Sequence, residues 1–431
     1  MSFHPQSLAV RTPAGPFPLL LALLLAVGCL TAVLPAVAVA AEAAPVAIGP
    51  YDAAVVYPAG SLAIGPDGNT YRASKEVKGV DPTQANADSW HLAHVSNEVI
   101  LDVPGRFKTI AEAMAFLAGC RIAEPAKAVV LVAPGKLDHE APLVLNHAEG
   151  ARIVIRGAGE KPEECVLLFE GDDADEQDGL VVNNGHVMTL DNLTIESTTR
   201  TGRGIGLLID TRAAVTLNSC NFNDFTCVLG GNSHLSASNC AFQMSRPGDA
   251  VHVRNGSEAV LDDCRLLAKP GAEGVGCAAY NGGTLFCVGC RAEGWGDGFK
   301  AYGNSVMHLE RCVGRDNGIG ASVWHSSSLN ALDCVFAKNK QVGVAAIFAT
   351  AGISGCQLTD NGAGAWAIGN AYLQFLGKPS TISGCSVGIE AKAGGRVDLI
   401  GKPVYKNVPT PLSVGNRSGD LPVDQAFINA P

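Results

Sequence analysis

The chain is poor in aromatic side chains (6%) and in charged ones (17%), and beyond its first 41 residues it has no apolar run long enough to cross a bilayer. Lys/Arg clusters are missing as well. Acidic residues outnumber basic ones by 41 to 31, a formal net charge of −10. A nucleic-acid partner is thereby excluded, because that binding needs a basic face to neutralise phosphates. What the chain has instead is glycine, 50 of them. Few rings and many glycines imply frequent turns and thin core layers, as in repeat architectures.

The N-terminus stands apart in composition. Arg11 precedes an apolar run from Leu19 to Ala40 that closes on Ala38-Val39-Ala40 before Ala41, the pattern of a signal-peptidase site. Residues 1–40 are expected to be a signal peptide, which would make the mature chain secreted, periplasmic or part of the cell envelope, with no membrane span. The run is also long enough for a membrane anchor, and Gly28-Cys29 offers a weak lipid-attachment site; both stay open beside cleavage.

Cysteine reveals the period. Cys264, Cys290, Cys312, Cys334 and Cys356 follow at steps of 26, 22, 22 and 22 residues, with Cys220 and Cys240 upstream and Cys385 downstream. Each sits in a similar phrase, among them VTLNSCNF, AVLDDCRL and MHLERCVG, and Leu193 takes the thiol's place in MTLDNLTI. The position therefore wants a small to medium apolar group. A fixed period near 22, with short alternating strands between glycines and asparagines, marks a solenoid whose every turn adds one strand to each sheet. Stacked turns place the cysteines in one internal column of buried thiols, although neighbouring rungs about 4.8 Å apart leave disulfides geometrically open. Cys287 and Cys290 form a CxxC without the second pair that zinc requires, so no metal ligands are assigned.

The aligned LxxC phrase and its period resemble the right-handed parallel β-helix proteins of the pectate-lyase-like superfamily, over roughly Ala128 to Lys406. The resemblance implies an all-β single-stranded solenoid of about 22-residue coils, here over residues 100–406. Phe107 to Met114, with apolar residues at 110, 113, 114 and 117 and a Thr109/Glu112 capping box, reads as a short amphipathic helix that covers the first rung. FKTIAEAM followed by AVVLVAPGKL and ARIVIRGAG is similar to the cap and first coils of pectin-esterase-like and phage tail-spike β-helices. Residues 46–96 lack the repeat and form a small β module. Its order Tyr57, Tyr71, Trp90 is similar to small chitin-binding-type modules, with Tyr51 where those usually carry tryptophan. Those three rings are either sugar platforms or the core of a very small domain. Residues 407–431 have no periodicity and are expected to be a tail that packs along the helix or is disordered.

The phrases DAVHVRN, GVGCAAYN, GDGFKAYGN, GIGASVWHS and GAGAWAIGN superpose on one another. Alternation along a strand then points Val251, Val253, Cys277, Ala279, Phe299 and Ala301 inward. His252, Arg254, Tyr280, Lys300, Tyr302 and Trp324 point outward. Tyr280, Tyr302 and Trp324 recur at steps of 22 residues, flanked by Arg254, Lys300 and His325. Aromatic faces stack on sugar rings, and guanidinium and ammonium groups bind carboxylates or sulfates, so a polysaccharide partner is expected along this strip. Stacked rings that merely stabilise the sheet surface are the alternative.

Catalysis is less legible. The superfamily's paired hydrolase aspartates have no counterpart, because Asp262-Asp263 falls at a variable turn position equivalent to Asn218-Ser219 and Glu310-Arg311. Downstream esterase signatures are missing too. A lyase or epimerase needs a base and a cation to hold the uronate carboxylate, roles open to Lys300, Arg254 and Tyr302, with Asp297 or Asp249 beside them. No cofactor is required. Calcium enters only as an option at Asp249 or Asp297, without a loop of recognised spacing. The sequence leaves three readings: a glycan-binding protein, an enzyme on acidic glycans, or a structural or adhesive surface protein. It says nothing of oligomeric state.

Overall fold

The computed structural model describes residues 48–429 except 87, 140–141, 170–176, 199–203, 416, 419–420 and 423–426. The expected signal segment lies outside the described residues. From Val99 onward the chain coils into a parallel β-helix with three long sheets of 14, 12 and 12 strands. Each coil visits the first sheet, then the second, then the third. One coil runs through Glu258–Asp262, Arg265–Ala268 and Val275–Tyr280; the next runs through Thr284–Val288, Arg291–Glu293 and Asp297–Tyr302. Every one of these strands pairs in parallel with its counterpart a coil away.

The cysteine phrase makes the bend between the first and second sheets. A single left-handed residue, such as Asn239, Asp263, Arg311 or Asp333, turns the chain, and the cysteine that follows enters the core. Asp263 is thus a turn residue, as its variable equivalents imply. Cys220, Cys240, Cys264, Cys290, Cys312, Cys334, Cys356 and Cys385 are all buried and unbridged. From Cys264 onward their thiols donate to carbonyls of the preceding coil, Cys290 to Leu261 at 3.3 Å and Cys312 to Cys287 at 3.2 Å. Burial pushes the Cys220, Cys227 and Cys287 thiols well above the ordinary range, because an anion would lose its hydration there.

A second column was not foreseen. Asn317, Asn339 and Asn361 are buried, and their side-chain amides bridge coils: Nδ2 donates to Ala292, Gly314 and Phe336 carbonyls at 3.1, 3.0 and 2.8 Å. Their Oδ1 atoms accept from the Trp295, Asn317 and Asn339 amides at 2.8, 3.1 and 2.9 Å. Buried backbone groups at the bend, which no strand satisfies, are paired in this way.

At the N-terminal end helix Ile110–Phe116 buries Ile110, Ala113, Met114 and Phe116. Thr109 caps it: its Oγ1 accepts from Glu112 N at 3.1 Å, and Glu112 Oε2 reaches past the cap residue to accept from Lys108 N at 2.7 Å. The segment before it is joined to this cap. Strands Leu62–Ile64, Thr70–Ala73 and Trp90–Val95 form a sheet with Arg121–Ile122, beyond the helix. Arg106 donates to Ala85 and Pro82 carbonyls at 2.8 and 3.0 Å and lies over the Phe116 ring.

The C-terminal segment corrects the expectation of a tail. Thr410–Gly415 extends the third sheet and Phe427–Asn429 the first. Coiling therefore continues past residue 406 without the cysteine phrase.

Candidate functional site

The outer face of the third sheet carries the strip, in the register the alternation implies. Arg254 pairs with Tyr280, Tyr280 with Tyr302, and Tyr302 with Trp324. A parallel column holds His252, Ala278, Lys300 and Ser322. Between these outward residues Val251, Val253, Cys277, Ala279, Phe299, Ala301, Ala321 and Val323 are wholly buried. Because the strand alternates, the core on one face fixes the site on the other.

The rings touch in sequence. His252 stacks on Tyr280 with centroids 4.6 Å apart, Tyr280 meets Tyr302 at 6.2 Å, and Tyr302 meets His325 edge-on at 4.9 Å. His325 sits in the turn after Trp324 and is exposed. His252, Arg254, Tyr280, Lys300, Tyr302, Trp324 and His325 thus lie along one face. Two depressions adjoin there. One, of about 340 Å³, is lined by His252, Arg254, Tyr280, Asn281, Lys300 and Tyr302. The other, of about 520 Å³, shares His252 and Arg254 and adds Asp249 and Glu273.

Two carboxylates order the polar end. Asp249 Oδ2 lies 3.0 Å from His252 Nδ1, and its Oδ1 accepts from Val275 N at 3.1 Å. Burial, then the Asp249 charge and a hydrogen bond to it, push the Tyr280 phenol well above its ordinary range, so it stays protonated. Asp297 Oδ2 takes Lys300 Nζ at 3.1 Å and the Ser322 hydroxyl at 3.0 Å. Lys300 Nζ also stands 5.9 Å from the Trp324 ring centroid.

These contacts place the candidates. Lys300, expected as base or clamp, has its amino group between the Asp297 carboxylate and the Trp324 ring. Asp249 and Asp297 are committed to protein partners, and among the described residues no group of three or more His, Cys, Asp or Glu gathers as a metal site would require. Asp249, held between His252 and Tyr280, is the residue whose importance the sequence understated.

The N-terminal rings do not join the site. Tyr57, Tyr71 and Trp90 are buried. The Tyr57 hydroxyl accepts from Asp52 N at 2.8 Å, the Tyr71 hydroxyl donates to Asp67 at 2.6 Å, and Trp90 Nε1 donates to Val80 O at 3.0 Å. Tyr57 packs edge-on against Trp90 at 5.2 Å. As sugar platforms these three are corrected to core, since a ring enclosed on both faces has none to offer.

Residues 172–352 match the family model described as the right handed beta helix region. Among solved structures, the A-module of mannuronan C-5 epimerase AlgE6 from Azotobacter vinelandii is similar, with 12% identity and a TM-score of 0.50 over 70% of this chain and 90% of that one. The catalytic domain of a GH87 alpha-1,3-glucanase in complex with tetrasaccharides is similar at 15% identity and a TM-score of 0.50, over 82% of this chain and 71% of that one. No curated protein matches the chain. At such identities the likeness establishes the fold: an all-β, right-handed parallel β-helix.

Proposed function

We propose that this is an exported protein whose third-sheet face binds an acidic polysaccharide along the strip from Arg254 to Trp324. The observation that carries the reading is one shared register: Tyr280, Tyr302 and Trp324 stacked coil upon coil, with Arg254 and Lys300 on the same face. Rungs repeat about every 4.8 Å, a step comparable to one sugar unit in an extended chain. Rings take the apolar faces of successive sugars while Arg254 and Lys300 meet carboxylates. The names of the two similar folds, an epimerase of mannuronan and an alpha-1,3-glucanase, agree with a polysaccharide ligand.

A glycan array probed with the wild type and with the Tyr302→Ala/Trp324→Ala double variant tests it. The double variant is expected to bind about tenfold or more weakly, two aromatic contacts being lost, with its melting temperature nearly unchanged. Equal binding by the folded variant sinks the strip; a fall in stability with binding intact favours the surface-stabilising account.

The Asp249–His252–Tyr280 cluster favours a second reading, an enzyme that moves a proton on a uronate. Asp249 orients the imidazole through Nδ1, which leaves Nε2 free to face substrate, and the protonated Tyr280 phenol supplies a donor beside it. Arg254 borders the same depression and serves as the carboxylate clamp. Incubation of the array's acidic hits in deuterated water, followed by assays for unsaturated ends and for deuterium at carbon, tests this reading. Neither product from any hit leaves binding without catalysis.

A further inference from the structure

In six consecutive coils, the turn that follows the third-sheet strand opens on a residue in the left-handed region. Successive coils place Asn255, Asn281, Gly303, His325, Phe348 and Gly369 there, with φ of 54°, 49°, 67°, 50°, 51° and 67°. Asparagine and glycine suit that conformation, and a bulky phenylalanine is an outlier in it. Phe348 is also 52% exposed, more than any other aromatic residue among the described exposed hydrophobics. A large apolar side chain thus occupies a strained backbone position without gaining burial, so the fold itself does not account for it.

Its surroundings accommodate the ring. The Phe348 ring lies parallel to His325, 7° between planes with centroids 5.7 Å apart, and so continues the series His252, Tyr280, Tyr302, His325 by one more coil. On its other side stands Gly369, where an added Cβ would come within 2.5 Å of the ring. Glycine there leaves the ring its place and its outer part uncovered. The chemistry changes along the strip as well. The outward residues around Phe348 are Ala345, Ile347, Trp366 and Ile368, in contrast to the charged residues of the Arg254 and Lys300 coils.

We propose that Phe348, backed by His325, is a further sugar subsite at the C-terminal end of the strip, and that it takes an uncharged pyranose face. A carboxylate placed there would be desolvated by apolar neighbours, and Lys392, paired with Ile368 on the next coil, is already engaged by Glu390 at 2.8 Å. The proposal rests on the glycan-binding reading and extends it: the ligand presents acid at the Arg254–Lys300 end and a neutral or esterified unit about two coils further on. Longer ligands therefore gain affinity that short ones cannot reach.

The test uses the full chain with oligogalacturonates as probes: a trisaccharide, a hexasaccharide, and the hexasaccharide with methyl-esterified carboxyls only in its distal half. Wild type is expected to bind the hexasaccharides more tightly than the trisaccharide, and the half-esterified one best. Phe348→Gly should weaken the half-esterified hexasaccharide about two- to tenfold, the share of one aromatic contact, and leave the trisaccharide unchanged. Its melting temperature should hold or rise, since glycine takes a positive φ without steric cost. Phe348→Asn, matching Asn281, should repeat the result. Unchanged hexasaccharide affinity in both folded variants overturns this subsite alone, as does a marked loss of stability, which would make the ring a structural support. Failure of the wild type to bind any of the probes overturns the subsite together with the reading beneath it.

Discussion

Asn339 shows what a single residue contributes to this fold. Its side chain accepts from the Asn317 coil's bend through the ladder of amides and donates to Gly314 O. Replacing it with alanine leaves a buried N–H and a buried carbonyl without partners, which costs about 1–3 kcal/mol. Asn339→Ala is therefore expected to lower stability by that amount in urea denaturation while glycan affinity stays the same, because the ladder lies in the core. Tyr302 and Trp324 are expected to behave in the opposite way. The asparagines recur at the same 22-residue step as the cysteines, so this column was available in the sequence. A cysteine at a fixed apolar position marks a core column, whereas asparagine at a bend is ordinary turn chemistry. The fate of Tyr57, Tyr71 and Trp90 was not available. Order along the chain says nothing of which ring faces are enclosed: Tyr71 packs on Phe116, outside the apparent module, while Tyr57, Trp90 and Tyr51 pack on one another.

Among elements, the third-sheet strands were the most legible. Strict alternation between a filled interior and the outer face leaves one register, and Phe299 and Ala301 inside put Lys300 and Tyr302 outside. What alternation cannot supply is the polar wiring between coils. That Asp249 engages His252, and Asp297 engages Lys300, depends on side-chain reach across the sheet. The buried cysteines make their own prediction at this scale. Burial holds the Cys220, Cys227 and Cys287 thiols neutral, above their ordinary value of 9.0. The unfolded chain ionises these thiols above about pH 8.5, so unfolding releases protons there. Their contribution to stability is complete below that pH and declines as pH rises, by about 1.4 kcal/mol per pH unit for each fully ionised thiol. Denaturation under reducing conditions at neutral and alkaline pH should show this fall. Native protein should also resist thiol reagents that label it completely once unfolded. A pH-independent stability contradicts the burial of Cys220, Cys227 and Cys287, and rapid native labelling of most thiols contradicts an internal column.

For the whole molecule, the solenoid separates two tasks. Stacked coils of thiols, amides and small apolar groups hold the structure, and one outer face is left free to vary along its length from charged to apolar. Among the described residues, the segment from Ile48 and helix Ile110–Phe116 pack together at the start of the coil, through the Arg121–Ile122 strand and the Arg106 hydrogen bonds. The central claim, that the third-sheet face reads acidic glycan, is tested most directly by comparing affinities for a uronan and for the same polymer with its carboxyls reduced to alcohols. Wild type is expected to prefer the uronan, and Lys300→Ala to lose most of that preference while it still binds the reduced polymer, because an ammonium attracts carboxylate and offers neutral sugars only hydrogen bonds. An unchanged preference in folded Lys300→Ala, or equal affinity of the wild type for the two polymers, would contradict it.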